Sequence, residues 1–259
     1  MAETKTKTLV NQQTIEKKLS SRLTTNKLNK WAFFACTMIG LLFLAALIID
    51  TLIKGAGHLT PSFFTSFSSS TPSMAGIKGA LIGTIWLMVT IIPISIILGV
   101  GTAIYLEEYA KDNALTSFIK VCISNLAGVP SVVFGLLGLT IFVRGMGIEA
   151  LALSNSVLAA ALTMSLLILP VIIVASQEAI RSVPSPVREA SYGLGGNKWQ
   201  TIRRVVLPAA IPGILTGFIL ALSRALGETA PLILIGIPTV LLSLPSSVFD
   251  QFQALPMAI

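Results

Sequence analysis

The chain is built from long apolar runs separated by shorter polar segments, without strict alternation of apolar and polar positions. A helix that crosses the hydrocarbon core of a bilayer needs about 20 predominantly apolar residues. Five runs reach that length and predict five spans: Trp31–Ile53, Gly79–Leu106, Val121–Val143, Asn155–Ser176 and Leu207–Ile237. The second and fifth runs are longer than a span requires, so we expect these helices to tilt, kink or extend beyond the bilayer.

The composition points to the same fold class. Hydrophobic residues make up 54% of the 259 residues and charged residues only 11%, whereas soluble domains carry about a quarter charged residues. These values argue against a soluble or disordered protein, and the unbroken apolar runs argue against an outer-membrane barrel. We therefore predict an all-α, polytopic membrane helix bundle.

The positive charge of the chain, net +7, follows the predicted topology. With five spans, fourteen of the eighteen Lys and Arg residues fall on the same side as the N-terminus. Because Lys and Arg accumulate in cytoplasmic segments, that side is predicted to be the cytoplasm, and no nucleic-acid partner is needed to explain the charge. This predicts a basic cytoplasmic segment at 1–30 and a transmembrane domain at 31–259, with a cytoplasmic loop at about 177–206.

The C-terminal tail, Ser243–Ile259, contains no Lys or Arg, and its last six residues are largely apolar. Five spans place this tail outside the cell. We therefore expect a sixth span beyond the C-terminus that returns the chain to the cytoplasm.

The cytoplasmic loop between the fourth and fifth spans predicts a short helix. Glu189 lies near the N-terminus of that helix, where a carboxylate is favourable, and Gly195 is suited to a left-handed helix end. Asn197 is suited to begin the next helix. Such a helix, held between two spans, could dock in a groove of a partner and transmit its movement; the alternative is a solvated loop. The small or apolar face of the helix contains Val187, Ala190, Ser191 and Leu194.

The chain lacks the Gly-x-x-x-x-Gly-Lys-Ser/Thr sequence that cradles nucleotide phosphates. We therefore expect the energy for any transport to come from a partner protein or from an ion gradient.

Arg224 and Glu228 stand out within the fifth span because charges inside a membrane are costly and usually face a cavity or a partner. They are four residues apart and so share one helix face. A guanidinium binds two oxygens of a tetrahedral oxyanion at once, and Glu228 could accept a hydrogen bond from protonated phosphate but not from fully ionised sulfate. Two alternatives remain, a structural ion pair that ties two spans together and an arginine that reaches the outer interface.

The residues around this pair disfavour a continuous helix. Proline at 231 frees a backbone carbonyl and kinks a helix, and Gly227 and Thr229 adjoin it. We predict an unwound segment that lines a polar pathway. The Thr229 hydroxyl either faces that pathway or bonds back to the helix.

The loop residues Glu189-Ala190-Ser191, then Gly195 and, after nine intervening residues, Val205-Val206-Leu207-Pro208 resemble the EAA motif of ABC importer permeases. Ser191 replaces the second alanine of the motif, and Val205 replaces an isoleucine. The resemblance implies a coupling helix seated on a cytoplasmic ATPase dimer. The residues that it assigns to this coupling are Glu189, Ala190, Ser191, Gly195, Leu207 and Pro208.

The run from Arg224 to Pro231 closely resembles the R-x-x-G-E-T-A-P signature of phosphate-specific ABC permeases. Two further segments, 129–135 and 101–109, are similar to other motifs of that family, and the chain looks more like its PstA type than its PstC type. The family has a MetI-like fold with six spans. The resemblance implies a substrate pathway that includes Arg224, Glu228, Thr229 and Ser131.

The function implied by the resemblance is that of a transmembrane permease subunit in an ATP-driven importer of inorganic phosphate, located in the bacterial cytoplasmic (inner) membrane. The chain itself would not be an enzyme and would bind no cofactor or metal, since ATP and Mg would be used by partner subunits. The implied partners are membrane lipid, a homologous PstC-type permease, two PstB-type ATPase subunits and an extracytoplasmic phosphate-binding protein.

Three other functions remain open. A sulfate or molybdate permease would share the EAA loop without needing the pair Arg224 and Glu228. A proton-coupled secondary transporter would be expected to show a two-half repeat with paired broken helices. A non-transporting membrane scaffold would give no reason for two charges inside a span.

Overall fold

The computed structural model describes residues 12–69, 71, 75–149, 152–241 and 243–258, with the backbone alone for residues 12–21. Every regular element in those ranges is a helix, which agrees with the predicted all-α class. The chain divides into two compact units with a boundary between Thr60 and Pro61.

The first unit consists mainly of helix α1 (Gln12–Ala56), which is 45 residues long and therefore about 68 Å in length. The apolar part of α1 contains the first predicted span, Trp31–Ile53, and is long enough to cross a membrane. α1 continues without a break through residue 30, where the basic segment was predicted to end. Lys5 and Lys7 of that segment lie outside the described residues.

The second unit contains three further helices that are long and apolar enough to cross a membrane, α3, α6 and α8. α3 and α6 confirm the spans predicted at Gly79–Leu106 and Asn155–Ser176. The α-helices of this unit, with the π-helical turns that continue them, are α2 (Pro61–Thr65), α3 (Lys78–Tyr109), α4 (Ala114–Leu126), α5 (Ser131–Val143), α6 (Val157–Arg181), α7 (Ser185–Gly193), α8 (Lys198–Gly227) and α9 (Ala230–Ile235). Short 3₁₀ helices lie at Gly145–Gly147 and Leu255–Met257.

The prediction that the third span is one continuous helix at Val121–Val143 was wrong. The region forms two helices, α4 and α5, that are bent by 102° at the residues between them. Pro130 follows Gly128 and Val129 at this bend, and a proline pushes the preceding residue out of helical conformation. Each helix is only about 20 Å long and too short to span a bilayer alone. Taken together as one broken span, they bring the total to the predicted five.

The fifth span, predicted as Leu207–Ile237, is also interrupted. α8 ends at Gly227, Glu228 is extended with φ −80° and ψ 120°, and a separate helix, α9, begins at Ala230. The predicted unwound segment is therefore confirmed. α8 starts at Lys198, directly after Asn197 as the sequence indicated, so its first residues lie within the loop predicted at about 177–206.

α6 is the central helix of the second unit. Its residues Ala160, Met164, Ile168 and Ile172 are completely buried between α3, α5 and α8. α8 packs closely along α6 through small residues: a Cβ at Gly213 would lie 2.8 Å from the Ala179 side chain, and Gly217 faces Ala175 in the same way. Small residues allow such close approach of membrane helices. The bundle end that holds Tyr109, Arg181 and Lys198 is called the α7 end below.

The opposite end of the bundle is closed by the C-terminal tail. Phe252 and Ala254 are completely buried, and the carbonyls of Asp250 and Val248 accept hydrogen bonds from the first backbone amides of α6, Val157 and Leu158, at 3.0 and 2.8 Å. These bonds satisfy amides that a helix leaves unpaired at its N-terminus.

A local turn holds the tail in this conformation. The side chain and amide of Ser246 and the amide of Ser247 donate hydrogen bonds to Asp250 Oδ2 at 2.7–2.8 Å. These donors stabilise the carboxylate and lower the pKa of Asp250 to about 2. The carboxylate therefore stays ionised and keeps the turn intact at physiological pH.

Candidate functional site

The break between α8 and α9 lies near the middle of the bundle. Gly213 and Gly217 of α8 face Ala179 and Ala175 of α6, and this antiparallel register brings Ala225 level with Leu167, about halfway along α6. Discontinuous helices at mid-membrane depth are a frequent setting for substrate sites in transporters, because unwound backbone and helix ends face a cavity there. The break is therefore a candidate site by position as well as by composition.

Arg224 and Glu228 approach each other across the end of α8. Arg224 Nε lies 3.4 Å from Glu228 Oε1, and the two side chains are 45% and 20% exposed. Both residues belong to the same end of one helix, so the pair does not tie two spans of the second unit together. The predicted structural alternative, in that form, does not match the geometry, and the exposed guanidinium is free to face a cavity or a partner.

The opposite wall of the break is formed by α5. A Cβ at Gly135 would lie 2.9 Å from Pro231 Cα and 2.8 Å from the Leu234 side chain, so only glycine allows α9 to approach this closely. Ser131 is the first residue of α5, one helical turn before Gly135, and Thr229 directly precedes α9. Both are partly buried. The structure thus brings Arg224 and Glu228 into contact at the break, with Thr229 directly before α9 and Ser131 at the start of α5, the helix on which α9 packs.

The predicted short helix in the connecting loop is confirmed as α7. It ends as expected, because Gly195 adopts φ +81°, a left-handed conformation that residues with a side chain rarely take. Asn197 then starts α8 with two reciprocal hydrogen bonds. Its side-chain oxygen accepts from the backbone amide of Gln200 at 2.8 Å, and its backbone amide donates to Gln200 Oε1 at 2.9 Å. Two well-defined helix ends therefore fix the orientation of α7.

This loop borders an open groove with a volume of about 460 Å³. Of the six predicted coupling residues, three line it, Ala190, Ser191 and Gly195, together with Arg204 and Val205 of α8. Glu189 is exposed on α7. Leu207 and Pro208 are not among the lining residues and lie further along α8, directly after a wider π-helical turn.

The serine that replaces the second alanine of the motif has a partner. The hydroxyls of Ser191 and Thr201 are 2.8 Å apart and share a hydrogen bond, and Thr201 is only 1% exposed. This bond fastens the end of α7 to the first turn of α8.

Ser191→Ala is therefore expected to destabilise the protein by about 1 kcal/mol, because the buried Thr201 hydroxyl loses its partner. A change of that size corresponds to a Tm lower by about 2–4 °C for a chain of this size, measured by thermal unfolding of the purified complex. Ser191→Ala with Thr201→Val should recover most of the loss, since no buried hydroxyl is then left unpaired. An unchanged Tm for Ser191→Ala would contradict the role of this bond.

The sequence did not indicate the ionic cluster at the α7 end of the bundle. Glu107 accepts bonds from Arg181 Nη2 at 2.8 Å and Gln177 Nε2 at 3.1 Å, and Lys120 Nζ lies 3.0 Å from the same oxygen. Glu108 contacts Arg188 of α7. Within the described ranges, no group of three or more His, Cys, Asp or Glu side chains is placed to hold a metal ion.

Comparisons with known proteins agree on the type of protein. Residues 95–258 match the family described as binding-protein-dependent transport system inner membrane component. The chain is 37% identical over 213 residues to the probable ABC transporter permease protein YqgI of Bacillus subtilis, which covers 82% of this chain and 71% of that relative.

Phosphate transport system permease proteins are also similar. The chain is 38% identical over 211 residues to PstA 1 of Mycobacterium tuberculosis, covering 79% of this chain and 67% of that protein. It is 32% identical over 219 residues to PstA of Yersinia pestis, covering 84% and 72% respectively.

Proposed function

Because this chain belongs to the family of binding-protein-dependent transport system inner membrane components, we propose that it is a permease subunit of an ATP-driven importer of inorganic phosphate. The family predicted from the sequence motifs is thereby confirmed. The observation that carries the phosphate proposal is the helix break that brings Arg224 and Glu228 together, in a chain similar to phosphate transport system permease proteins.

The chemistry of the pair supports phosphate as the substrate. Glu228 engages Nε of Arg224, so it leaves the outer fork of the guanidinium, formed by the two Nη groups, for two oxygens of an anion. Glu228 would repel a fully ionised dianion but accept a hydrogen bond from the hydroxyl of protonated phosphate. Sulfate and molybdate carry no such proton at neutral pH.

The proposed partners follow from the family. A PstC-type permease would complete the pathway that faces Arg224, and two PstB-type ATPase subunits would bind ATP and Mg and dock on α7. An extracytoplasmic phosphate-binding protein would deliver the anion at the opposite end of the bundle. Closure of the ATPase dimer would move α7, and the pathway between α5, α8 and α9 would open alternately to each side.

The test is uptake by the complex reconstituted in vesicles with its ATPase and binding protein. We expect ATP-dependent accumulation of phosphate that excess sulfate or molybdate does not inhibit. Accumulation of sulfate or molybdate instead would reject the anion assignment. Uptake that requires a proton gradient and no ATP would favour a secondary transporter.

The proposed topology places the N-terminus and α7 in the cytoplasm. In a variant with Cys36 and Cys122 replaced by alanine, a single cysteine at Lys198 should resist an impermeant thiol reagent added to intact cells. A single cysteine at Glu149, near the other end of α6, should react and serves as the control. Rapid labelling at position 198 with protection at 149 would reverse the orientation.

A further inference from the structure

α3 ends in three consecutive residues that contact different parts of the α7 end. Glu107 binds residues of α4 and α6, as described above, and Glu108 binds Arg188 of α7. Tyr109 lies under the ammonium of Lys198, which is 5.2 Å from the ring centroid and is the first residue of α8. The end of α3 is therefore connected to both ends of the loop that contains α7.

The contact between Glu108 and Arg188 is the most enclosed of these. Their side chains are 7% and 22% exposed, whereas Arg181 of the neighbouring pair is 54% exposed. A charged pair that is shielded from water restricts the relative position of its two side chains more than a solvated surface pair does.

Arg188 also holds the C-terminal end of α6. Its Nη2 donates to the carbonyl of Ile180 at 2.7 Å, and its Nε donates to the carbonyl of Val183 at 3.4 Å. Its Nη1 donates to Glu108 Oε1. One guanidinium thus joins three elements, α7, α6 and α3, and a lysine in its place has too compact a head to make the same three contacts at once.

We infer that Glu108 and Arg188 are positioning residues that make α3 move together with α7. The inference rests on the proposed function, in which an ATPase moves α7. α6 and α8 are joined to α7 through the chain itself, but α3 is separated from it in sequence and depends on contacts between side chains. Without the contact between Glu108 and Arg188, a movement of α7 would reach α3 only indirectly, through the packing of α3 on α6 and the contact between Tyr109 and Lys198.

The neighbouring glutamate provides a matched control. Glu107→Gln removes a carboxylate from the same helix turn, one that binds α4 and α6. It leaves the contact between Glu108 and Arg188 of α7 in place. In reconstituted complexes, Glu108→Gln should lower the phosphate transported per ATP hydrolysed by about tenfold, and Glu107→Gln should leave that ratio close to wild type. Arg188→Lys, which keeps the charge but loses the fork, should lower the ratio as Glu108→Gln does.

A distance measurement tests the same inference without reference to the transported anion. Spin labels at Ser185 on α7 and at Ile97 on the exposed face of α3 would report their separation in the assembled complex. We expect ATP to leave this separation unchanged in the wild type and to change it in Glu108→Gln. If Glu108→Gln does not assemble, Arg188→Lys serves in both measurements.

The two proposals fail in different ways. An unchanged transport ratio together with an unchanged separation in Glu108→Gln or Arg188→Lys would overturn the positioning role. An equal loss of the ratio in Glu107→Gln would also overturn it, because the effect would then belong to the whole ionic cluster. If the separation responds as expected but the complex transports another anion, the positioning role stands and the phosphate assignment fails.

Discussion

Arg224→Gln is expected to lower phosphate uptake by about 100-fold while leaving the complex assembled, because the proposed charged hydrogen bond to the anion would be lost. Glutamine retains hydrogen-bonding capacity and removes the positive charge, so the variant tests charge more than packing. In a water-filled pathway, a pair whose arginine is 45% exposed contributes little to the stability of the chain itself. Initial uptake rate and complex yield are the two measurements.

Two companion variants separate transport from stability. Arg224→Lys should also be impaired, because an ammonium lacks the planar fork that binds two oxygens. If the pair were instead a buried structural pair at the interface with a partner, each single variant would lose about 3–5 kcal/mol and assemble poorly. Recovery of phosphate uptake in the double variant, Arg224→Gln with Glu228→Gln, would defeat the assignment of Arg224 and Glu228 to the pathway.

Gly195→Trp and Glu189→Lys are expected to uncouple ATP hydrolysis from transport while the protein still inserts in the membrane. A tryptophan at 195 combines a strained left-handed backbone, at about 1–2 kcal/mol, with a large side chain beside the surface proposed to meet the ATPase. Lysine at 189 reverses an exposed charge on α7 near its positive N-terminal end. Each should reduce uptake at least about tenfold without a comparable loss of membrane-inserted protein.

Two conservative variants act as controls. Gly195→Asn should retain much of the activity, since asparagine tolerates the left-handed conformation better than other residues with side chains. Glu189→Gln removes the charge without reversing it and should be milder than Glu189→Lys. Normal binding-protein-stimulated ATPase activity and normal uptake in Gly195→Trp would exclude a coupling role for this end of α7.

The helix ends of the loop were predictable because they depend on local chemistry. Gly195 takes the left-handed conformation and Asn197 caps the next helix, as their residue types indicated. The break at Glu228 was likewise signalled by Gly227 and Pro231. The bend between α4 and α5 was missed because hydrophobicity continues across it, although Pro130 was a usable signal.

The ionic cluster at the α7 end could not be derived in the same way. Glu108 and Arg188 are 80 positions apart, and Glu107 and Arg181 are 74 apart. Charge patterns identify partners on one helix, where spacing determines contact, but they do not determine which charged side chains meet when helices from distant parts of the chain pack together. The contacts of Glu107 and Glu108 therefore needed the three-dimensional arrangement.

The close packing of Gly213 and Gly217 against Ala179 and Ala175 holds α6 and α8 together as a rigid pair of helices. Because backbones in such close contact cannot slide without clashes, the two helices should tilt as one body. α8 has 30 residues and a length of about 45 Å, so a tilt of about 10° around its loop end would displace the Arg224 end by roughly 8 Å. A small rotation at the α7 end would thus be amplified into a displacement larger than the diameter of an oxyanion.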